Sequence, residues 1–238
     1  MAIASILLGG CATRTVVFDT DAPRGAIAAQ PGRRGLVIAA PHGTSDVRTD
    51  AIAAELARRT GFGVVIATGF ALEPDSREAS GRRYQVNRPM EGVPGRPPSE
   101  EVVTARAREV YDAYEQRVRE VAQGPLRFLA EIHGNNHRDA AARIEIATVG
   151  VDRELAFRLR TLLELIRDAH LRGTSGAPRL EVLVEPADTL RYAASGAKRA
   201  GILRLPERAL HIELPKAARA EWREVYTAIL AEFLVQAA

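Results

Sequence analysis

The chain is 238 residues long, with 46% hydrophobic, 26% charged and 5% aromatic residues, which supplies one large apolar core and excludes a disordered chain. Its formal net charge is +3 at pH 7, and lysine occurs only at positions 198 and 216, leaving 31 of the 33 cationic residues as arginine. With 30 acids interleaved and aromatics sparse, the charge reads as solvated, salt-bridged helix faces and excludes the one-signed, aromatic-lined stripe that nucleic acid requires.

The first ten residues are mostly apolar and lead to the only cysteine, Cys11. One cysteine excludes an intramolecular disulfide framework, and the run is too short to span a bilayer. Leu8-Gly9-Gly10-Cys11 resembles a bacterial lipoprotein signal, in which the leader is cut before a cysteine that is then lipidated. Residues 1–30 are therefore expected to be leader and linker, with membrane attachment through a lipid on Cys11 and a place in the cell envelope; without that processing the protein would be cytoplasmic. Residues 31–238 are expected to form a single α/β domain.

Residues 35–41, "GLVIAAP", read as a buried strand that ends in polar residues at His42. "DVRTDAIAAELARRTG" follows at helical spacing with a glycine stop, so a helix is expected directly after that histidine, and "FGVVIATGF" is the next strand. Strand, helix and strand in so short a span imply a crossover and a mainly parallel sheet. About thirty residues rich in Pro and Gly follow, a length that compact domains seldom keep without a purpose. A helix is expected from Ser99-Glu100-Glu101 to Gly124, then the strand "PLRFLAEIHG", and then "ARIEIATVG", too close behind for a helical crossover and hence either antiparallel or across an edge. A helix over 152–171, the strand "RLEVLVEP", a short helix near 187–197, the strand "ALHIELP" and a helix from 217 complete the chain. The fold class is α/β, a three-layer α/β/α arrangement around a central mixed, mainly parallel sheet.

Three of these strands end in ionisable residues: His42, His133 and Glu213. Catalytic zinc takes three protein ligands from His, Asp and Glu, and His42 with Asp46, four residues on, could supply two, with His133 as the distant third. Glu131 lies two residues before His133, on the same side of the strand, where it could orient the imidazole. His137 is a weaker candidate in a polar turn. On the long loop, Arg88 could bind a carboxylate or polarise a carbonyl while Asn87 fixes its approach. Arg82 and Arg83 could select a substrate carboxylate or be solvated charges, and Lys198 and Lys216 are expected at the surface, with contact to an anionic ligand as the alternative.

The order "APHGTSD", "YQVNRP", "EIHGN", "HIELP" resembles the N-formylglutamate amidohydrolase family, related in fold to zinc carboxypeptidases and aspartoacylases. The resemblance runs from about residue 35 to about residue 222. It implies a zinc-dependent exopeptidase-like fold with one Zn2+ per chain on His42, Asp46 and His133, substrate and oxyanion contacts at Asn87 and Arg88, and Glu213 as general base. Asn135 is a further candidate substrate contact within "EIHGN". Two departures stand out: the carboxypeptidase pattern has its acidic ligand where this chain has Ser45, and deformylase-type relatives read Asp-Leu-Asn-Arg where this chain reads Gln85-Val86-Asn87-Arg88. The expected activity is hydrolysis of an amide bond in an N-acyl amino acid or peptide-like substrate that carries a carboxylate. The alternative is an inactive envelope lipoprotein that keeps the fold as a binding or scaffold protein. That alternative requires a broken ligand set.

Overall fold

The computed structural model of the chain describes residues 17–19, 25–70, 83–93 and 96–238. Cys11, with the lipid attachment expected there, and Arg82 lie outside them. The strands are β1 (Val17–Asp19), β2 (Ala26–Gln30), β3 (Arg33–Ala40), β4 (Phe62–Thr68), β5 (Arg83–Tyr84), β6 (Glu91–Gly92), β7 (Phe128–Asn135), β8 (Arg143–Val149), β9 (Glu181–Val184) and β10 (Arg208–Pro215). The helices are α1 (Thr49–Thr60), α2 (Ala105–Ala122), α3 (Arg153–Leu171), α4 (Ser195–Ala200), α5 (Lys216–Arg219) and α6 (Arg223–Ala237). No helix among the described residues is long and apolar enough to cross a membrane.

Eight strands form the main sheet in the order β1-β2-β4-β3-β7-β10-β8-β9. Its centre, β4-β3-β7-β10, is parallel, while β2 joins β4 and β8 joins β10 in antiparallel fashion. The antiparallel placement of "ARIEIATVG" is therefore observed. Strand β2 falls within the stretch read as leader and linker, yet it pairs with β4, so the sheet begins before residue 31. The short apolar run "AIAA" carries no helical or turn signal that would set it apart from a linker.

Alternation along the central strands divides the core in two. Ile38, Ala130, Ile132, Leu210, Ile212 and Leu214 face α1, α3 and α6 through residues such as Ile52, Leu56, Leu159, Leu163, Ile229 and Phe233. Val37, Ala39, Leu129 and Ala209 face α2 through Val110, Tyr111, Tyr114 and Val118. Helices thus cover both faces, and the three-layer arrangement expected from the sequence is present. The chain leaves β3 through α1 to β4 on one side and returns through α2 to β7 on the other. The boundary between β3 and β7 is the point at which open α/β sheets leave a crevice beyond their strand ends.

The helix boundaries depart from the sequence pattern where hydrogen bonds compete with it. Residues 41–48 form turns, and α1 begins only at Thr49, because Arg48 takes a left-handed conformation (φ 73°) that stops the helix from extending backwards. Helix α2 begins at Ala105, not near Glu100, because Glu91 pairs with Val102 as an isolated bridge and Thr104 caps the helix by accepting the Ala107 N–H. The short helix expected near 187–197 lies at Ser195–Ala200 because the backbone N–H groups of Arg191 and Tyr192 donate to the Glu145 carboxylate instead. The last helical stretch is split into α5 and α6 at Ala220, whose backbone leaves the helical region.

Candidate metal centre

The register of β7 and β10 assembles the site. His211 lies opposite Glu131, and Glu213 opposite His133, so two carboxylates and two imidazoles share the face of the sheet that looks toward α2. Their apolar neighbours Ile132, Ile212 and Leu214 point the other way into the core. Strand pleating alone accounts for this separation, since side chains two apart share a face.

His42 and Asp46 arrive from the turn after β3. The Asp46 N–H donates to the His42 carbonyl at 2.8 Å, a one-turn wrap that brings residues four apart together. Asp46 Oδ2 then lies 3.4 Å from His42 Nδ1 and 3.3 Å from His133 Nδ1, and it accepts the Gly134 N–H at 3.2 Å. The extra residue relative to the carboxypeptidase spacing is thereby absorbed by the turn. One ligand atom each from His42, Asp46 and His133 lies within 4.8 Å of the others, and so does one each from Glu131, His133 and His211.

The two groups differ in what their atoms can do. His42 Nε2 is 2.9 Å from the Gln85 carbonyl, which only accepts, so Nε2 carries the proton and Nδ1 presents its lone pair beside Asp46. Glu131, fully buried, accepts the Asn87 amide at 3.2 Å, faces His211 Nδ1 at 3.1 Å and faces His133 Nε2 at 3.4 Å, all through one oxygen. That oxygen has three neighbours, as Asp46 Oδ2 has, while Glu131 Oε1 has no hydrogen-bond partner among the described residues; what separates the groups is the placing of the imidazoles. The His133 and His211 rings pack at 4.0 Å between centroids, tilted by 31°, an arrangement suited to stacking. His42, Asp46 and His133 therefore fit a metal ion, and Glu131 acts as the carboxylate that fixes the His133 tautomer.

Charge supports that division. Burial raises the Asp46 and Glu131 carboxyls, yet hydrogen bonds to His133 and to the second histidine of each, His42 or His211, hold both well below the usual carboxylate range. Burial pulls the His42 imidazolium down. Burial also opposes charge on His133, but hydrogen bonds to Asp46 and Glu131 outweigh it and raise its pKa to about 10. A metal must displace this proton, because only a neutral imidazole can ligate. Zinc binding at pH 7 is expected to release about one proton per ion and to strengthen by roughly tenfold per pH unit; calorimetry in buffers of different ionisation enthalpy measures both.

The other predicted residues sit as follows. Glu213 is buried, with Oε1 3.4 Å from His211 Nε2 and Oε2 without a hydrogen-bond partner among the described residues. Asn87 is buried against Glu131, and Arg88 forms a two-pronged pair with Glu101 at 2.9 and 2.6 Å. The structure thus gives Asn87 and Arg88 protein partners where substrate contacts were expected. Val86, between Gln85 and this pair, adopts φ 54°, a conformation that costs a β-branched residue about 1–3 kcal/mol. The strain aims the Gln85 carbonyl at His42 and the Asn87 amide at Glu131. Asn135 lies on the same face as His133 at the end of β7. His137 accepts the Asp139 N–H and meets Arg191 at 2.8 Å, outside the centre, in the polar turn its surroundings suggested. Arg83 borders a small cavity of about 60 Å3 with His42 and Ser45. Lys198 pairs with Glu185.

Sequence reasoning missed His211, although "HIE" mirrors "EIH" and both place ionisable residues two apart. It also missed Tyr192, which lies close enough to Glu213 and Glu145 for their charges, after burial, to raise its phenol. Buried Arg219 was missed as well. Its guanidinium donates to the carbonyls of Leu214, Val47 and Asn135 at 3.1, 2.6 and 3.0 Å, tying together the ends of β10, the turn after β3 and β7. A Cβ on Gly134 would meet that guanidinium at 2.5 Å, which is why the residue after His133 is glycine. Arg219→Ala is expected to cost about 3 kcal/mol by orphaning buried carbonyls, lowering Tm by roughly 6–12 °C in a thermal melt.

No known protein family matches the chain, and no curated protein matches it. Solved structures similar to it include a bacteriophage poly-gamma-glutamate hydrolase (13% identity, 89% of this chain and 86% of that one, TM-score 0.47). Others are the Atu2144 gene product of Agrobacterium tumefaciens (17%, 89% and 92%, 0.47) and the zinc-free apo form of YndL (12%, 90% and 91%, 0.51). The last of these likenesses shows that the chain shares a fold with YndL: a mixed, centrally parallel sheet flanked by helices.

Proposed function

We propose that the protein is a metal-dependent hydrolase of amide bonds, with zinc on His42, Asp46 and His133. The observation that carries this reading is the convergence of His42 Nδ1, Asp46 Oδ2 and His133 Nδ1 at the β3/β7 switch point, with the carboxylate of Glu213 on the adjacent strand. Zinc held there supplies a Lewis acid for the carbonyl and a water whose pKa falls to about 7. Glu213 takes the proton of the attacking water and returns it to the leaving amine. Glu131 and Asn87 hold His133 in the tautomer that leaves Nδ1 free, and the Gln85 carbonyl does the same for His42. Arg88, paired with Glu101, joins the segment that carries Gln85 and Asn87 to the one that leads into α2.

The resemblance to N-formylglutamate amidohydrolases supports an N-acyl amino acid or peptide-like substrate with a carboxylate, and the fold shared with a protein described as zinc-free in its apo form supports zinc. The inactive scaffold reading requires a broken ligand set, and the three ligand atoms lie together. The test is elemental analysis of the purified chain, followed by chelation, readdition of zinc, and detection of free amine released from N-acyl amino acids and peptides. About one zinc per chain, with hydrolysis lost on chelation and regained on readdition, is the expected result. A folded chain that takes up no zinc, or that binds it and cleaves no amide, would sink the proposal.

A further inference from the structure

Beside the metal centre lies a cleft of about 820 Å3, lined by Arg48, Asn135, Asn136, Lys216 and Arg219 among others, with Glu221 as its one acid among the described residues. The segments that build the centre also build the cleft. Arg48 follows Asp46 by two residues, Asn135 follows His133 by two, and Lys216 follows Glu213 by three. The cleft thus opens on the strand and turn ends that follow the candidate ligands, which Arg219 ties together through the Val47 and Asn135 carbonyls.

Three observations describe what the cleft would hold. The side chains of Arg48 and Lys216 are exposed and have no ion pair or hydrogen bond among the described residues, their carbonyls accepting the Ile52 and Ala220 N–H groups. Asn135 is only 5% exposed, yet neither its Oδ1 nor its Nδ2 has a hydrogen-bond partner. An amide enclosed so deeply costs about 1–3 kcal/mol per orphaned group unless something in the cleft completes it. Arg48 keeps a left-handed backbone (φ 73°) that glycine would adopt with less strain, so the position retains a guanidinium against its conformational preference.

We propose that this cleft is an anion subsite that holds an acidic segment of a peptide-like chain, its carboxylates on Arg48 and Lys216 and its backbone amide on Asn135. The Asn135 side chain offers one acceptor and two donors, the complement of a peptide group. The volume lies within the range that takes a short peptide segment, larger than a single ion needs. Among the cleft-lining residues there is no aromatic ring on which a base could stack. The assignment rests on the hydrolase reading only for its position beside a scissile bond.

The test measures binding of fluorescently labelled tetraglutamate and tetraglutamine to the full chain, zinc-loaded and chelated, by anisotropy. The variants are Arg48→Gln with Lys216→Gln, and Asn135→Ala. Tetraglutamate is expected to bind at least about tenfold more tightly than tetraglutamine at low salt. The double variant removes that preference while keeping its Tm and zinc content, and Asn135→Ala weakens both peptides alike. Equal binding of the two peptides, or a preference that survives in the double variant, would overturn the subsite. Binding of tetraglutamate through these cations with no amide hydrolysed would instead discard the hydrolase and leave the subsite standing. Zinc-dependent hydrolysis indifferent to substrate charge and to the double variant would do the reverse.

Discussion

His133→Ala and His42→Ala each leave the purified chain with far less than one zinc, weakening zinc affinity by more than about 100-fold, beyond what loss of an orienting partner alone costs. His133 is the more informative of the two because it faces Asp46 through one nitrogen and Glu131 through the other. Its removal deletes a ligand and leaves the fully buried Glu131 with two of its three neighbours, Asn87 and His211. His42→Ala deletes a proposed ligand at a more open position and leaves the Gln85 carbonyl with the Asn87 N–H and Asp46 with His133, so it should lose metal with little loss of stability. Elemental analysis beside a thermal melt separates the two effects. Zinc kept in His42→Ala but lost in His133→Ala would move the metal to the Glu131, His133 and His211 group; full retention in both variants would place it away from either group.

Glu213→Gln should lower kcat by about 10^2–10^4-fold while zinc content and KM stay near the wild-type values. The amide has the same shape as the carboxylate, so packing against His211 is kept. Glu213 is buried, its Oε2 lacks a partner, and Glu145 lies opposite it on β8. Neutralising a carboxylate in that position should leave Tm unchanged or raise it, the trade between stability and activity expected where a charge is kept for chemistry. Steady-state kinetics with a thermal melt checks the pair of outcomes. Lost zinc would make Glu213 a ligand or ligand support; retained activity would place the base elsewhere, with His211, Tyr192 and Glu145 the neighbouring groups to examine.

Most of the fold was legible because alternation and helical spacing are local. "LAEIHG" and "ALHIELP" each show apolar residues on one side and ionisable ones on the other, and the clustering of His42, His133 and Glu213 at strand ends follows from the parallel sheet. Pairings set by distant contacts were not legible. That Glu131 meets His211 depends on the β7/β10 register, which joins residues eighty positions apart. That Arg88 is held by Glu101 depends on a loop passing through a left-handed Val86, and no propensity assigns that conformation to valine. Strand β2 was hidden because its pairing with β4, and not any feature of "AIAA", makes it a strand.

The alternation of β10 also guards the register of the sheet. If β10 slipped by one residue against β7, His211 and Glu213 would turn into the layer filled by Ile38, Ile132, Leu163 and Phe233, while Ile212 and Leu214 would displace them beside Glu131. Burying a carboxylate and an imidazole among hydrocarbon without partners is costly enough that they would have to lose their charge. The side chains assigned to the proposed chemistry thus also reject misaligned sheets. Replacing His211 and Glu213 together with apolar residues would free β10 to pair out of step, since its positions from Ala209 to Pro215 would then all be apolar.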